Sequence, residues 1–200
     1  MKNRRVFFVA AAVIVLFAIA AFYEYTKPPT YYGALIDPPK AMPDFTLQSA
    51  QGPVKLSDFH DKFVALYFGY TSCPDICPTT LAGLKTAISQ LDNKEAGKLQ
   101  VIFVSVDYKR DTPEKVDGYA KLFHPDFIGL TGTQEQIDQV TQNFGIYYKL
   151  DPPDPSSGSY VVEHTAIVLL IDPQGKLVIT WPYGQAASDI TSDLKAFTTK

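Results

Sequence analysis

The sequence is poor in the side chains that cross-link chains or bind soft metals: its 200 residues include two cysteines and three histidines. Two cysteines cannot build the disulfide framework of a small secreted protein, so the fold has to depend on a hydrophobic core. A four-cysteine zinc site is excluded by the same count. Internal repeats are also lacking, which leaves an ordinary globular domain as the expectation.

Basic side chains are in deficit beyond the N terminus. Of the 18 Lys and Arg residues, Lys2, Arg4 and Arg5 belong to the first five positions, which leaves 15 basic against 21 acidic side chains in the remaining chain, a net charge near −6. Such a balance argues against binding to nucleic acid or to anionic lipid headgroups. A cationic partner or a metal ion is easier to accommodate.

Charge is absent from residues 6–22 (VFFVAAAVIVLFAIAAF), which directly follow the basic residues 1–5. This run of 17 residues reaches the short end of the ~17–25 that span a bilayer and exceeds the ~7–15 of a signal-peptide core. We therefore predict a cytoplasmic basic end at 1–5 and an uncleaved transmembrane signal anchor at 6–22. The protein would be single-pass in a bacterial inner membrane, with its soluble part facing the periplasm or the cell exterior. No cysteine comes directly after the run, which excludes a lipoprotein anchor.

Residues 23–43 contain five prolines, which predicts a stiff, extended tether between the anchor and the domain. Residues 44–200 are long enough for one domain with a sizeable core. In this domain apolar runs alternate with amphipathic runs. Strands are predicted at 63–68, 101–106, 127–130, 165–171 and 177–181, and helices at 78–91, from 112 onward, at 133–144 and at 187–197.

The order of these elements predicts an α/β protein. Strands that alternate with helices form parallel βαβ units, and the turn at 172–175 joins the last two strands into an antiparallel hairpin. The result is a mixed β-sheet flanked by helices, which is the layout of a thioredoxin-like fold. Residues 151–160 are predicted to be a loop inserted before the hairpin.

Both cysteines lie in the stretch 69–78 (GYTSCPDICP), where the first core strand passes into its helix. Ligands of α/β folds collect at such strand ends. If Pro78 is the first helical residue, Cys77 is the N-cap, and the helix dipole would lower the pKa of its thiol. The spacing from Cys73 lets both sulfurs point at one spot, so the pair can either oxidise to a disulfide or bind a soft metal.

The three histidines differ in their positions. His60 lies in a charged loop and His124 at a helix end, so surface or capping roles are expected for both. His164 precedes the first hairpin strand, which in a thioredoxin-like layout lies against the cysteine motif. Two thiolates and one imidazole suit copper, because thiolate favours Cu(I) and imidazole suits Cu(I) and Cu(II).

Three motifs resemble the Sco/SenC family of membrane-anchored copper proteins that serve cytochrome c oxidase assembly. They are the C-P-x-x-C-P pattern at 73–78, the stretch 105–113 (SVDYKRDTP), which is similar to the family's D-x-x-R-D-T-P, and the late His164 followed by Thr165 and an apolar strand. The resemblance implies that Cys73, Cys77 and His164 bind one copper per chain, as Cu(I) or Cu(II). It also implies a metallochaperone rather than an enzyme.

Further expectations follow from the same resemblance. The partner would be cytochrome c oxidase subunit II, whose binuclear copper site would receive copper or have its cysteines kept reduced. Another extracytoplasmic copper carrier or a thiol reductant could also bind. Separately, Asp107 follows a predicted strand end, so it could face the site and be hydrogen-bonded behind a copper ligand, or it could cap the turn and pair with Arg110.

Three other interpretations compete with copper handling. A thiol–disulfide oxidoreductase would use Cys73 and Cys77 as a redox pair, but enzymes of the thioredoxin type carry a cis-proline where this chain has 163–165 (EHT). A peroxiredoxin relative needs a single attacking thiolate, and the three-residue gap between the cysteines is unusual for it. A purely structural disulfide would close a loop too small to contribute much stability.

Overall fold

Two units make up the computed structural model, residues 1–30 and 31–200, and the structure describes residues 8, 13–20, 22–23 and 29–199. Residues 8, 13–20 and 22–23 are helical and exposed. The predicted basic end at 1–5 and part of the predicted anchor at 6–22 lie outside the described residues. Among the helices that are described, none combines the length and the apolar character needed to cross a bilayer.

The second unit has a regular order of strands and helices that closely follows the predicted order. Its elements are β1 (Ala34–Ala41), β2 (Thr46–Ser49), β3 (Gly52–Lys55), a 3₁₀ turn (Leu56–Phe59), β4 (Phe63–Gly69), α1 (Ile76–Ser89), α2 (Asn93–Gly97), β5 (Leu99–Ser105), α3 (Pro113–Phe123), β6 (Ile128–Leu130), α4 (Gln134–Phe144), β7 (Tyr148–Leu150), β8 (Val162–His164), β9 (Ile167–Ile171), β10 (Lys176–Pro182) and α5 (Ala187–Thr198).

A central six-stranded sheet has the order β1-β10-β9-β4-β5-β6. Strands β4, β5 and β6 are parallel, whereas β9 and β10 form an antiparallel hairpin beside β4. The mixed sheet flanked by helices is therefore confirmed, as is the thioredoxin-like fold. Nearly every residue of β4 and β5 is buried, because helices and loops cover both faces of these two central strands.

The sequence did not predict β1. Residues 34–41 fall within the predicted tether at 23–43, yet they pair antiparallel with β10 at the edge of the sheet. An edge strand needs hydrogen bonds on only one side, so it tolerates Pro38 and Pro39, and the pairing register shifts around them. The tether prediction was therefore wrong for residues 34–41, and just before the strand the N–H groups of Tyr32 and Gly33 also donate to the carboxylate of Asp193 at 2.9 Å.

Two short ribbons lie outside the central sheet. One pairs β2 with β3, and the other pairs β7 with β8 so that Tyr148 is opposite His164. The strand predicted at 165–171 begins only at Ile167, so His164 does not lie on a central strand. It ends a three-residue strand of its own, which follows the predicted loop at 151–160.

Candidate metal centre

The cysteine motif connects β4 with α1. Helix α1 begins at Ile76, with Asp75 as its N-cap residue, so Cys77 lies within the first turn and is not the N-cap. The prediction of the helix start at Pro78 was late by two residues, because the proline occupies the third helical position. The N–H of Cys73 donates to the carbonyl of Tyr70 at 3.3 Å, which closes a tight turn before the helix.

Asp111 fixes the beginning of this turn. Its carboxylate accepts hydrogen bonds from the backbone N–H and the hydroxyl of Thr71, at 2.8 and 2.6 Å, and from the Ser105 hydroxyl at 2.6 Å. Burial would raise the pKa of Asp111, but hydrogen bonds from Lys115, Ser105 and Thr71 outweigh it and lower the pKa. The cysteine motif is thereby attached to the end of β5.

Cys77 is completely buried beneath the motif. The Tyr67 hydroxyl lies 3.7 Å from its Sγ, and a Cβ atom added at Gly69 would approach Sγ to 2.6 Å. Burial raises the pKa of the Cys77 thiol to about 12, an effect to which the neighbouring Cys73 adds. The predicted lowering of this pKa by the helix dipole was wrong, because removal of the thiolate from water outweighs the dipole.

His164 approaches the cysteines from the other side. Its Nε2 lies 3.5 Å from Cys77 Sγ, and its Nδ1 lies 3.3 Å from the carbonyl oxygen of Thr165. If Nδ1 carries the proton and donates it to that carbonyl, the Nε2 lone pair faces the sulfur. Burial lowers the pKa of His164, which keeps the imidazole neutral and ready to bind a metal at neutral pH.

Two tyrosine rings pack against the imidazole ring of His164. Tyr67 and Tyr70 both meet the ring of His164 edge to face, with centroid distances of 6.2 and 5.9 Å. Sequence reasoning missed both tyrosines as members of the site. Tyr70 stands beside the cysteine motif, but its contact with a residue 94 positions later follows only from the fold.

Cys73, Cys77 and His164 converge on one point. Their Sγ, Sγ and ring-nitrogen atoms all lie within 4.8 Å of one another. Both cysteines are free thiols, and the backbone N–H of Cys77 donates to Cys73 Sγ at 3.4 Å. Two sulfurs and one imidazole nitrogen can bind a soft metal, and the two sulfurs can also form a disulfide.

His60 and His124 lie elsewhere. His60 is exposed, and His124 follows the last residue of α3, where its N–H donates to the carbonyl of Ala120. Neither belongs to the converging cluster, which is the only group of three or more His, Cys, Asp or Glu ligand atoms found in the described part of the chain.

Asp107 is buried near the cluster but contributes no atom to it. Its carboxylate pairs with Arg110 and accepts a hydrogen bond from the Tyr160 hydroxyl at 2.7 Å. Its backbone carbonyl accepts from the N–H groups of Arg110 and Asp111, which forms the turn. Of the two roles considered for Asp107, turn formation with an Arg110 ion pair is the one that these contacts show, and the Tyr160 partner was not expected.

A groove of about 660 Å³ opens beside the cluster. Cys73 and His164 lie on its wall, whereas Cys77 is buried behind them. The exposed carboxylates of Asp75 and Glu163 also line it. A molecule that enters the groove therefore meets Cys73 and His164 before Cys77.

Comparison with known proteins gives consistent results. The chain matches the SCO1/SenC family over residues 34–199. A mitochondrial SCO2 homolog of Bos taurus is 37% identical over 155 residues, which are 76% of this chain and 58% of the bovine protein. Apo Sco1 of Thermus thermophilus has a TM-score of 0.77 at 45% identity, covering 84% of this chain and 97% of that one. ScoI of Arabidopsis thaliana, solved with copper bound, has a TM-score of 0.70 at 32% identity, covering 80% and 99%.

The matched region is most of this chain but only part of its curated relatives. The chain spans about half to two thirds of the length of the curated relatives it matches. The family match itself covers nearly all of the second unit, including both cysteines, the 105–113 stretch and His164. This chain therefore belongs to the SCO1/SenC family.

Proposed function

We propose that this protein binds one copper ion at Cys73, Cys77 and His164 and passes it to a partner protein. The observation that carries the proposal is the convergence of two free thiols and a neutral imidazole nitrogen within 4.8 Å. Soft thiolates favour Cu(I), and the imidazole adds a donor that suits Cu(II). The copper-bound state of the related Arabidopsis thaliana protein supports copper as the metal.

The chain's own groups define how copper is held and released. Both thiols have to lose their protons on binding, whereas His164, with its lowered pKa, is already neutral. Three donors are few enough for a competing protein to displace. The groove exposes Cys73 and His164, so we expect that exchange begins at these two residues.

The proposed acceptor is the binuclear copper site of cytochrome c oxidase subunit II, as the family resemblance implies. The protein would supply copper to that site or keep the cysteines of that subunit reduced. Copper itself, or the electrons for that reduction, would come from another extracytoplasmic carrier or thiol reductant. Residues 6–22 would anchor the protein in the inner membrane, and the domain would then face the periplasm or the cell exterior, where the proposed delivery would occur.

Thiol–disulfide exchange is the second candidate function. The proximity of the two free thiols favours it, because they can form an internal disulfide. The raised pKa of Cys77 argues against fast closure of the internal disulfide, because Cys77 would have to attack as the thiolate a mixed disulfide formed on Cys73. Cys73 is the more exposed of the two and would be the attacking sulfur.

Anaerobic titration of the reduced full-length protein with Cu(I) and Cu(II) tests the proposal. We expect one copper per chain and a thiolate-to-Cu(II) absorption band in the visible. His164→Ala should weaken Cu(II) binding by more than the ~10–100-fold typical of losing a group behind a ligand. His60→Ala is the matched control, because His60 is exposed and outside the cluster. Rapid reduction of a model disulfide without stoichiometric copper binding would favour the oxidoreductase instead.

A further inference from the structure

Three side chains close a ring of contacts next to the metal-binding cluster. Arg110 pairs through Nε with the carboxylate of Asp107, donates from Nη1 to the backbone carbonyl of Tyr160 at 3.0 Å, and stacks on the Tyr160 ring with Cζ 3.6 Å from the centroid. The Tyr160 hydroxyl donates back to Asp107 at 2.7 Å. We call Asp107, Arg110 and Tyr160 the clamp.

The clamp joins two distant parts of the chain. Asp107 and Arg110 belong to the turn after β5, which is part of the central sheet, whereas Tyr160 lies just before β8. Strand β8 has only three residues and ends with His164, and its strand partner β7 is also outside the central sheet. The clamp is therefore a direct connection between the central sheet and the segment that carries the histidine.

His164 is held from both sides along the chain. After it, Thr165 exchanges two hydrogen bonds with Tyr147, one at 2.9 Å from its N–H to the Tyr147 carbonyl and one at 3.0 Å from the Tyr147 N–H to its hydroxyl. Before it, the clamp fixes Tyr160. The N–H of Asp151 also donates to the carbonyl of Val161 at 3.0 Å, but this bond stays within the β7–β8 ribbon, whereas the clamp connects the segment to the turn after β5.

The clamp also contacts the aromatic surroundings of the imidazole. Arg110 Cζ lies 5.9 Å from the centroid of Tyr70, the ring that packs edge to face against His164. The guanidinium thus lies over two tyrosine rings, 3.6 Å from the centroid of Tyr160 and 5.9 Å from that of Tyr70. Its planar fork forms an ion pair, a hydrogen bond to a carbonyl and a stacking contact together, which a lysine ammonium cannot do.

Because Asp107 is completely buried, its carboxylate requires these partners. Loss of either Arg110 or the Tyr160 hydroxyl leaves it short of a donor. We therefore propose that Arg110 and Tyr160 are positioning residues for His164: they hold β8 so that the imidazole Nε2 faces the two sulfurs. The effect on copper rests on the proposed function, whereas the effect on the position of His164 does not.

Two conservative variants separate the parts of the clamp. Arg110→Lys keeps the positive charge but loses the fork and the stacking. Tyr160→Phe keeps the ring under Arg110 but removes the hydrogen bond to Asp107. The matched controls are Lys109→Gln, which changes a neighbouring exposed charge, and Tyr183→Phe, which removes a hydroxyl from a partly exposed ring outside the cluster.

The first measurement uses copper-free, reduced protein and is independent of any metal. Amide hydrogen exchange at residues 162–165 should become faster by about tenfold or more in both variants, because the strand opens locally. The imidazole ring of His164 should be more mobile, as reported by its NMR resonances. The amides of β4 and β5 should keep their wild-type exchange, and both controls should match the wild type throughout.

The second measurement adds copper. Cu(II) affinity should fall by ~10–100-fold in both variants, as is typical when a group behind a ligand is lost. Cu(I) affinity should fall much less, because the sulfurs remain in place. A spectroscopic signature of nitrogen coordination to Cu(II) should weaken in the variants, and Lys109→Gln and Tyr183→Phe should retain it.

Several results would overturn the inference. Wild-type exchange and imidazole mobility in both variants would show that the clamp does not position His164. Equal losses of Cu(I) and Cu(II) affinity, or faster exchange with unchanged Cu(II) affinity, would reduce the clamp to a general stabilising contact. If the wild type binds no copper, the proposed function fails, and the exchange measurement still decides whether the clamp holds the histidine.

Discussion

The two halves of the candidate metal centre are built in different ways. The cysteine arm, residues 69–77, continues from a buried central strand and ends inside the first turn of a helix. The histidine arm, residues 160–165, belongs to a two-stranded ribbon outside the central sheet and includes Val161, of which 61% is exposed. Burial and pairing within the central sheet hold the first arm, whereas pairing with the short strand β7, burial of Val162 and the clamp hold the second.

This difference has a chemical consequence. The two sulfurs lie on a segment that the core keeps in place, so the pair remains available as a Cu(I) site or as a disulfide. The imidazole lies on a segment with fewer restraints, and local stability there should be lower. We therefore expect Cu(I) binding to depend mainly on the cysteine arm, and Cu(II) binding to depend on both.

The largest difference between the arms should appear as a function of pH. Cys77, with a pKa raised to about 12, is a neutral thiol at pH 7 and loses its proton when copper binds. His164, with its lowered pKa, loses none. Copper affinity should therefore increase at least about tenfold per pH unit between about pH 7 and 9 because of Cys77 alone.

Competition titrations with a chelator of known protonation constants measure this slope. His164→Ala is the informative variant: it should lower the affinity for Cu(II) without changing the pH slope. If the slope becomes smaller in this variant, protons are being released by the histidine arm, and the assignment of proton release to the cysteine arm would be wrong.

The next largest effect should come from filling the space beneath Cys77. A Cβ at Gly69 would lie 2.6 Å from Cys77 Sγ and 2.9 Å from Phe103 Cε2. Gly69→Ala should therefore lower the free energy of unfolding by ~1–3 kcal/mol and displace the sulfur, as overpacking of a core does. Thermal or denaturant unfolding measures the first effect, and the binding of Cu(I) measures the second.

Gly83→Ala is the matched control for this change. Gly83 lies within α1, and a Cβ there would meet nothing within 4 Å. The control should raise stability by ~0.5–1 kcal/mol, because alanine favours the helix over glycine. Equal effects of the two substitutions would show that the cysteine arm is not closely packed and would remove the main contrast between the arms.

The sequence predicted the cysteine arm well because its signals are local. A buried apolar run, a turn with cysteines and an amphipathic helix follow each other directly at 63–91, and the structure has the same order. The pKa of Cys77 could not be predicted this way. It is raised mainly by burial of the thiol, which is a consequence of tertiary packing.

The histidine arm was predicted in position but not in structure. The residue type and the nearby hairpin pointed to His164, yet neither β7 nor β8 has a pattern long enough to identify it, with three residues each. Strand β1 could not be predicted for a similar reason. Its prolines indicated a tether, whereas the strand forms only because residues 34–41 pair with β10 at the edge of the sheet. The Tyr160 contact with Arg110 joins residues 50 positions apart, and no local pattern encodes it.

The smallest expected effect concerns the far side of the histidine arm. Thr165→Val keeps the shape of the side chain but removes the hydroxyl that accepts the Tyr147 N–H. This bond is exposed, so water can replace the acceptor, and the loss should be about 1 kcal/mol. If this free energy is lost from the copper-bound position of His164, Cu(II) affinity should decrease about fivefold. Cu(I) affinity should change little.

Thr86→Val provides the reference for this effect. The Thr86 hydroxyl also makes an exposed hydrogen bond to a backbone group, the carbonyl of Ala82, but it lies on α1 away from the ribbon. It should change stability by a similar small amount and leave both copper affinities unaltered. A selective loss of Cu(II) affinity in Thr165→Val alone would show that weak restraints on the ribbon control the histidine ligand. Equal losses for Cu(I) and Cu(II) would mean that the two arms move together, and the distinction between them would then hold for the architecture but not for the chemistry.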